Sequence, residues 1–200
     1  MIKNIIIVVG ARPNFMKIAP ILRLLDKNKR YNPILVHTGQ HYDDKMSNIF
    51  FKDLDIRKPD YNLNVGSDSH AKQTAKIMIS FEEVCYQTNP DLVIVVGDVN
   101  STLACSIVAK KLHIKVAHIE AGLRSYDMEM PEEINRIITD SISDYFFVTE
   151  ESGEKNLIKE GHDKNKIFFV GNLMIDSLHY GLEKIKTKKT YSNNPYGLVT

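Results

Sequence analysis

The 200-residue sequence predicts an α/β protein built on a doubly wound parallel sheet. Short runs of apolar, often β-branched residues alternate along the chain with segments whose apolar residues recur every three or four positions. The apolar runs are continuous, as expected for strands that helices cover on both faces of a parallel sheet. Polar turns that contain glycine follow most of these runs, and the sequence shows no internal repeat.

The first half of the chain carries the clearest strand signals. Residues 5–9 are a continuous β-branched run that ends at Gly10, and the apolar residues from Phe15 to Leu25 then recur at helical spacing. Residues 53–68 contain Pro59 and Gly66 among several Asn and Asp, which indicates a loop. The predicted elements of this half are strands at 5–9, 34–39 (strand and turn), 61–63 and 91–96, and helices at 15–25, 42–51 and 72–86.

The second half repeats the alternation of strand and helix. Within residues 132–143, apolar side chains fall on one stripe at helical spacing, which predicts an amphipathic helix. Strict alternation predicts right-handed crossovers between parallel strands. The predicted elements are strands at 115–119, 145–148 and 167–170, and helices at 102–112, 132–143, 150–160 and from Asn172 to about residue 185.

The composition changes near the end of the sequence. Residues 187–195 are rich in Lys, Thr, Ser and Asn, which is typical of a linker. Residues 196–200 then begin another apolar strand, and no helix follows to cover it. We therefore expect a first domain at 1–186, a linker at 187–195, and at 196–200 the first residues of a truncated second domain.

The overall composition is that of an ordinary globular protein, with 43% hydrophobic and 26% charged residues. A formal net charge of +1 predicts binding neither to nucleic acid nor to a membrane surface. Cys85 and Cys105 have no metal-ligand or CxxC spacing, so we expect buried structural thiols. The first residues lack the pattern of a signal peptide, and the expected location is the cytoplasm.

Polar turns follow the predicted strands at a common edge of the sheet. Each turn comes after a strand and before a helix, so all of them are expected at the carboxyl edge, where open parallel sheets bind ligands. These turns are Gly10-Ala11-Arg12-Pro13-Asn14 with Lys17 in the next helix, Gly39-Gln40-His41, Gly97-Asp98-Val99-Asn100-Ser101, Glu120-Ala121-Gly122 and Gly171-Asn172.

The first of these turns does not match the GxGxxG fingerprint of dinucleotide-binding proteins, so no nicotinamide cofactor is expected. Arg12 and Lys17 near a helix N-terminus suit a phosphate or diphosphate group. The plain alternative is that both side chains are exposed to solvent.

Metal and nucleophile chemistry find little support in the sequence. His37 and His41 lie on a strand and a turn and need not share a face, and His118 and Glu120 lack a third ligand at useful spacing. The GxSxG nucleophile motif and the phosphate-binding P-loop are both absent from the sequence. We therefore expect no metal.

The carboxylates of the later turns are the candidates for chemistry. Asp98 could simply start a turn, and Glu132 or Glu133 could simply favour the positive end of a helix. Glu120 ends a strand, where Glu is a poor turn former. If Asp98, Glu120 and Glu132 face the basic first turn across one crevice, crowding can leave one carboxyl protonated while another acts as a base. This pattern indicates acid/base chemistry on a substrate that carries a phosphate group.

Several short motifs occur in order along the whole chain. They are Gly10-Ala11-Arg12-Pro13 with Lys17 and Pro20, Thr38-Gly39-Gln40-His41, Gly97-Asp98 with Ser101-Thr102-Leu103-Ala104, His118-Ile119-Glu120-Ala121-Gly122-Leu123-Arg124, Pro131-Glu132-Glu133-Ile134-Asn135-Arg136, and Gly171-Asn172 with Ile175-Asp176. Together they resemble the non-hydrolysing UDP-N-acetylglucosamine 2-epimerases of bacteria and archaea.

The resemblance implies a Rossmann-like domain that is the N-terminal half of a two-domain, GT-B-like enzyme. It implies inversion at C2 of the sugar, which converts UDP-N-acetylglucosamine to UDP-N-acetylmannosamine through elimination and re-addition of UDP. By motif match, Asp98, Glu120 and Glu132 would be the catalytic carboxylates, with the acid and the base among them unassigned. Residues that would bind substrate are Arg12, Lys17, Gln40, His41, Arg124, Arg136 and Asn172.

We expect no cofactor, and the resemblance implies a homodimer. In the family a further functional histidine and most of the nucleotide pocket lie in the C-terminal half, so we expect the 200-residue chain alone to have no meaningful turnover. Three alternatives remain open: a hydrolysing relative that releases UDP and free N-acetylmannosamine, a GT-B glycosyltransferase, and a domain that only senses a sugar nucleotide.

Overall fold

The computed structural model describes residues 2–39, 51 and 54–186 of the chain, with the side chain of Arg12 not described. Several predictions therefore lie outside the described residues: most of the helix at 42–51, the residues Gln40 and His41, the linker at 187–195 and the strand that begins at 196.

Within the described residues, seven parallel strands form one sheet in the order β3-β2-β1-β4-β5-β6-β7. The strand order reverses between β1 and β4, which is the arrangement of a doubly wound sheet and confirms the predicted fold class. The strands are β1 (Lys3–Val9), β2 (Tyr31–His37), β3 (Tyr61–Asn62), β4 (Leu92–Val96), β5 (Lys115–Ile119), β6 (Tyr145–Val148) and β7 (Ile167–Phe169).

Helices connect the strands and cover both faces of the sheet. They are α1 (Arg12–Asp26), α2 (His70–Thr88), α3 (Asn100–Lys111), α4 (Pro131–Ile142), α5 (Glu151–Lys159) and α6 (Leu173–Lys186), with a short 3₁₀ helix at Lys164–Lys166. Each predicted helix after residue 54 is present, with ends that differ from the predicted ones by a few residues. None of the described helices is long and apolar enough to cross a membrane.

Strand β1 shows why the apolar runs are continuous. Its side chains alternate between two hydrophobic clusters, with Ile6 and Val8 packing beneath α2 and α3, and Ile5, Ile7 and Val9 packing beneath α1. Because both faces of the strand are covered, every one of these positions is apolar. The two clusters bury the sheet and leave its carboxyl edge as the place where polar turns can gather.

Strand β2 begins at Tyr31, three residues before the predicted start. Its first residue pairs with Lys3 of β1, so the strand extends past Pro33, which the apolar pattern had placed outside it. On the other side of β2, β3 pairs with Val36 and His37. On that side of β2, no described strand pairs with Pro33. The backbone N–H that proline lacks therefore breaks no ladder hydrogen bond in the described part of the sheet.

The two cysteines lie in the cluster beneath α2 and α3 and are free thiols. Burial, with a smaller contribution from the charge of Glu82, raises the pKa of Cys85 to about 12. Burial likewise holds the pKa of Cys105 well above its ordinary value. Both are structural residues of low reactivity, as predicted.

Candidate active site

The polar turns of the carboxyl edge meet where the strand order reverses. The connection after β1 enters α1 on one face, and the connections after β4 and β5 lead to helices α3 and α4 on the other. Loops that diverge at such a point leave a crevice at the strand ends. Lys17 on α1 and Glu120 after β5 approach each other across it, as the sequence predicted.

Lys17 and Glu120 form an ion pair in this crevice. The ammonium Nζ lies 2.6 Å from Glu120 Oε2, and the two side chains are 17% and 16% exposed. The pair is therefore largely shielded from solvent but still reachable by a ligand. Lys17 lies on helix α1 and Glu120 directly follows strand β5, 103 residues later in the chain.

The backbone of Glu120 is strained. Its φ angle is +68°, in the left-handed region that side chains other than Gly, Asn and Asp rarely adopt. Such a conformation costs on the order of 1–3 kcal/mol and is often found at functional sites. Both Glu120 and Ala121 donate their backbone N–H groups to the carbonyl of Phe147 on β6, at 3.0 and 3.2 Å, which holds the turn in place.

Gly97 lets the ion pair approach the end of strand β4. It has a φ angle of +70°, and a Cβ atom at this position would lie 3.5 Å from Glu120 Oε2 and 3.7 Å from Lys17 Nζ. The Lys17–Glu120 pair thus sits directly over Gly97, and Asp98 follows in the chain. The structure therefore brings the Gly97-Asp98 turn and the Glu120 turn together at the ends of the neighbouring strands β4 and β5.

Asp98 is held by residues of helix α4. Its carboxylate lies 3.2 Å from the Arg136 guanidinium, and its backbone carbonyl accepts a hydrogen bond from Asn135 Nδ2 at 2.8 Å. The Asp98 side chain is 38% exposed and Arg136 is 12% exposed. Arg136 therefore joins the Asp98 turn to the helix that carries Glu132.

The first turn of α4 contains two adjacent glutamates that differ in their surroundings. Glu133 is fully buried and accepts hydrogen bonds from the backbone N–H groups of Ser125 and Tyr126, both at 3.0 Å. Burial raises the pKa of Glu133, but these backbone hydrogen bonds and the Arg136 charge outweigh it, so the pKa lies below its usual value. Glu132 is half-buried, and its side chain makes no hydrogen bond or ion pair with any described residue. Glu133 is therefore structural, and Glu132 is the one available to a ligand.

A buried polar cluster lies behind the carboxylate turns. His118 and Asp140 are both fully buried, with His118 Nδ1 2.6 Å from Asp140 Oδ1. His118 Nε2 lies 2.8 Å from the carbonyl oxygen of Gly97. Asp140 Oδ2 accepts a hydrogen bond from the Gly122 N–H at 3.0 Å and lies 2.8 Å from the Arg124 guanidinium.

Two further predicted binding residues, Arg124 and Asn172, have partners outside the Lys17–Glu120 pair. Arg124 is 1% exposed and pairs with Asp140 and with Glu160, so the structure does not bring it to the Lys17–Glu120 pair. Asn172 follows β7 and its side-chain oxygen accepts a hydrogen bond from Met174 N at 2.9 Å, as a helix cap does. The side chain of Arg12 and residues Gln40 and His41 lie outside the described part of the chain.

Sequence reasoning did not identify the buried partners of the site. In the sequence, Asp140 is an ordinary polar residue near the end of a predicted helix. No local spacing relates it to His118, which lies 22 positions earlier. Glu133 and Glu132 are chemically identical neighbours. Among the described residues, no three His, Cys, Asp or Glu side chains are arranged to hold a metal ion.

Comparison with known proteins relates this site to a family. A sequence model of the family described as UDP-N-acetylglucosamine 2-epimerase matches residues 23–200. A UDP-N-acetylglucosamine 2-epimerase of Methanocaldococcus jannaschii is 46% identical over 191 residues, which are 94% of this chain and 52% of that protein. The crystal structure of this relative, in complex with UDP-GlcNAc and UDP, superposes with a TM-score of 0.89 over 93% of this chain and 51% of that one.

Two further similarities bear on substrate and fold. A UDP-2,3-diacetamido-2,3-dideoxy-D-glucuronate 2-epimerase of Pseudomonas aeruginosa is 45% identical, covering 98% of this chain and 54% of that protein. The structure of Phytolacca americana UGT2, complexed with UDP-2fluoro-glucose and pterostilbene, matches at a TM-score of 0.56 and 12% identity, over 86% of this chain and 54% of that one. That last likeness shows the fold alone, the Rossmann-like half of a GT-B architecture. The chain spans about half the length of the curated relatives it matches.

Proposed function

Because the chain belongs to the UDP-N-acetylglucosamine 2-epimerase family, we propose that its crevice serves the epimerisation of a UDP-sugar at C2, with UDP-N-acetylglucosamine as the substrate. The observation that carries the proposal is the strained Glu120, paired with Lys17 directly over Gly97 and next to Asp98. Strained, largely shielded carboxylates at a sheet switch point are typical of catalytic sites.

The chemistry of the substrate sets what the site must supply. No carbonyl lies next to the C2–H bond of the sugar to acidify it, so simple deprotonation and reprotonation is implausible. In the proposed route a base removes the C2 proton while the C1–oxygen bond to UDP breaks, which gives a 2-acetamidoglucal and UDP. UDP then adds back to C1, and an acid delivers a proton to C2 from the opposite face.

The described residues suit these requirements. Asp98, Glu120 and Glu132 are the proposed acid/base carboxylates, and they lie in the turns after β4 and β5 and in the first turn of α4. Lys17 and Arg136 place positive charge beside two of them, at 2.6 and 3.2 Å, where a diphosphate would need partners. Arg12, Gln40 and His41 remain proposed binding residues on the strength of their motifs.

The Glu120→Gln substitution in the complete protein tests the proposal. We expect the wild-type protein to form UDP-N-acetylmannosamine from UDP-N-acetylglucosamine and to incorporate solvent deuterium at C2 in D₂O. Loss of a general acid or base costs about 10²–10⁴-fold in rate, so the variant should fall by that factor while its stability changes little. Retention of full turnover by Glu120→Gln would contradict the role of this carboxylate.

The products separate the proposed reaction from its alternatives. Free N-acetylmannosamine without a UDP-sugar product would identify a hydrolysing enzyme, and UDP release that depends on an acceptor would identify a glycosyltransferase. A domain that only senses sugar nucleotides would keep its binding function in Glu120→Gln. The Pseudomonas aeruginosa relative gives a specific reason to assay UDP-2,3-diacetamido-2,3-dideoxy-D-glucuronate beside UDP-N-acetylglucosamine.

We also propose that the protein is a cytoplasmic homodimer. Helix α4 presents Ile134 and Ile138 on its outer side, 39% and 37% exposed, and such side chains suit an apolar contact between subunits. Sedimentation of the purified protein would show the dimer, and a monomer at micromolar concentration would contradict it. Fractionation of cells would test the location.

A further inference from the structure

The His118–Asp140 pair connects three segments that carry the proposed catalytic carboxylates. His118 Nε2 contacts the carbonyl of Gly97, the residue before Asp98. Asp140 Oδ2 accepts the N–H of Gly122, two residues after Glu120. Asp140 itself lies on α4, the helix that begins with Glu132 in its first turn. One buried pair therefore touches the Asp98 turn, the Glu120 turn and the Glu132 helix.

The partners of His118 fix the protons on its ring. A backbone carbonyl oxygen can only accept, so Nε2 carries a proton and donates it to Gly97. On the other side lies Asp140, whose second oxygen already receives the Gly122 N–H and the Arg124 guanidinium. Nδ1 and Oδ1 are 2.6 Å apart, so a proton must lie between them, because two lone pairs cannot face each other at that distance. The Arg124 cation beside Asp140 favours the carboxylate form, so this proton belongs to Nδ1.

The charges around Asp140 agree with its ionised form. Burial raises its pKa, but the charges and hydrogen bonds of His118 and Arg124 outweigh the burial and hold the pKa below its ordinary value. Arg124 is balanced in turn by Glu160, whose Oε2 lies 2.6 Å from the guanidinium. The cluster is thus two cations and two carboxylates, neutral as a whole although three of its four side chains are almost fully buried.

We propose that His118 and Asp140 form a buried imidazolium–carboxylate pair that acts as the positioning device of the site, holding the Asp98, Glu120 and Glu132 segments in a fixed relative geometry. Its catalytic consequence rests on the proposed function. A buried ion pair is weak evidence of stabilisation alone, since apolar side chains of similar size often stabilise a fold as well. Directional contacts with two backbone turns are what apolar residues cannot replace.

The Asp140→Asn substitution separates positioning from simple stabilisation. The side chain keeps its shape, and its amide oxygen can still accept from Gly122 and Arg124, whereas its NH₂ must donate to Nδ1 of His118. The imidazole then has to give up its Nδ1 proton. All hydrogen bonds remain possible, so the variant is expected to fold, but the charge that draws the segments together is gone.

Nitrogen NMR of ¹⁵N-histidine-labelled complete protein provides the first measurement. If the hydrogen bonds are as inferred, His118 carries protons on both ring nitrogens in the wild type and only on Nε2 in Asp140→Asn, both measured at neutral pH. A wild-type signal with one protonated nitrogen under these conditions would overturn the ion pair. This measurement does not depend on any enzymatic activity.

Kinetics with UDP-N-acetylglucosamine provides the second measurement. Misplacement of catalytic groups by about 1 Å can cost about 100-fold, so kcat of Asp140→Asn should fall by about 10- to 100-fold per folded molecule, with KM changed by less than about threefold. The matched control is Asp144→Asn, since Asp144 also pairs with a cation, Lys110, at 2.9 Å and accepts a backbone N–H from Val116. It lies at the opposite end of β5, so its kcat should equal that of the wild type.

The outcomes distinguish the two proposals. An unchanged kcat in Asp140→Asn, or an equal loss in Asp144→Asn, would overturn the positioning role. A wild-type protein without epimerase activity would overturn the proposed function, and the NMR signals of His118 would then decide the ion pair by themselves.

Discussion

Gly122 lies where the Glu120 turn meets helix α5, and its replacement by alanine tests the close packing of this turn. A Cβ atom at Gly122 would lie 2.3 Å from the carbonyl oxygen of Gly153 and 2.8 Å from its carbonyl carbon. Gly122 also has a φ angle of +78°, which an alanine adopts only under strain. Both the missing side chain and the backbone angle therefore require glycine here.

The expected loss of stability has two parts. An L-residue in the left-handed region costs roughly 1–2 kcal/mol. The overlap with backbone atoms of Gly153, which cannot move aside as a flexible side chain could, adds about 1–3 kcal/mol of overpacking. We therefore expect Gly122→Ala to lower the free energy of unfolding by about 2–5 kcal/mol, a large part of the roughly 5–15 kcal/mol of a typical domain.

Gly161→Ala is the matched control. Gly161 also has a positive φ angle, +91°, but a Cβ atom there would meet nothing within 4 Å, so this variant should lose only the backbone part. Urea denaturation followed by circular dichroism measures both variants under the same conditions. The difference between them isolates the overlap with Gly153, and equal losses within about 0.5 kcal/mol would refute the close approach of the turn to α5.

Three further predictions concern the carboxylates. Glu132→Gln should reduce epimerase turnover by about 10²–10⁴-fold with almost unchanged stability. Glu133→Gln should instead lower the free energy of unfolding by about 1–3 kcal/mol, because a buried partner of two backbone N–H groups is altered. Urea titrations and product assays on both variants check this, and the reverse pattern would mean that the two roles are exchanged. Glu133 and Asp140 have lowered pKa values in the folded protein, so they stabilise it above their unfolded values of 4.5 and 3.8, and this contribution is lost as the pH falls below them. The urea concentration at the unfolding midpoint should therefore decrease as the pH is lowered through about 4.5. This decrease should be smaller in Glu133→Gln than in the wild type.

The fold could be predicted because its signals are local. The continuous apolar run at residues 5–9 predicts a strand that is covered on both faces. In the structure this strand is β1, and its side chains are divided between two hydrophobic clusters. The meeting of Lys17 with Glu120 was also predictable, since strand-to-helix turns of a parallel sheet share one edge. Neither prediction required knowledge of which side chains touch at long range.

The supporting contacts of the site could not be predicted because they depend on long-range geometry. The sequence indicates that His118 is a strand residue without a third metal ligand, whereas in the structure its partner is Asp140, on the helix packed behind it. The left-handed backbone of Glu120 contradicts the preference of its own side chain, so local propensity argues against it. Conflicts of this kind between local preference and structure concentrate at functional sites, and here the conflict falls on the proposed catalytic carboxylate.

The Glu120 turn is held from four sides, and this explains how a strained conformation persists. Lys17 of α1 binds its carboxylate, Phe147 of β6 accepts two of its backbone N–H groups, Asp140 of α4 accepts the N–H of Gly122, and Gly153 of α5 closes against that glycine. Each contact comes from a different element, so relaxation of the turn would have to break several at once. A carboxylate fixed in this way does not need to reorganise when substrate binds, and preorganised charge of this kind is among the largest contributions to catalysis. The strain at Glu120 is therefore the consequence of a turn that fixes the position of its carboxylate at some cost in stability.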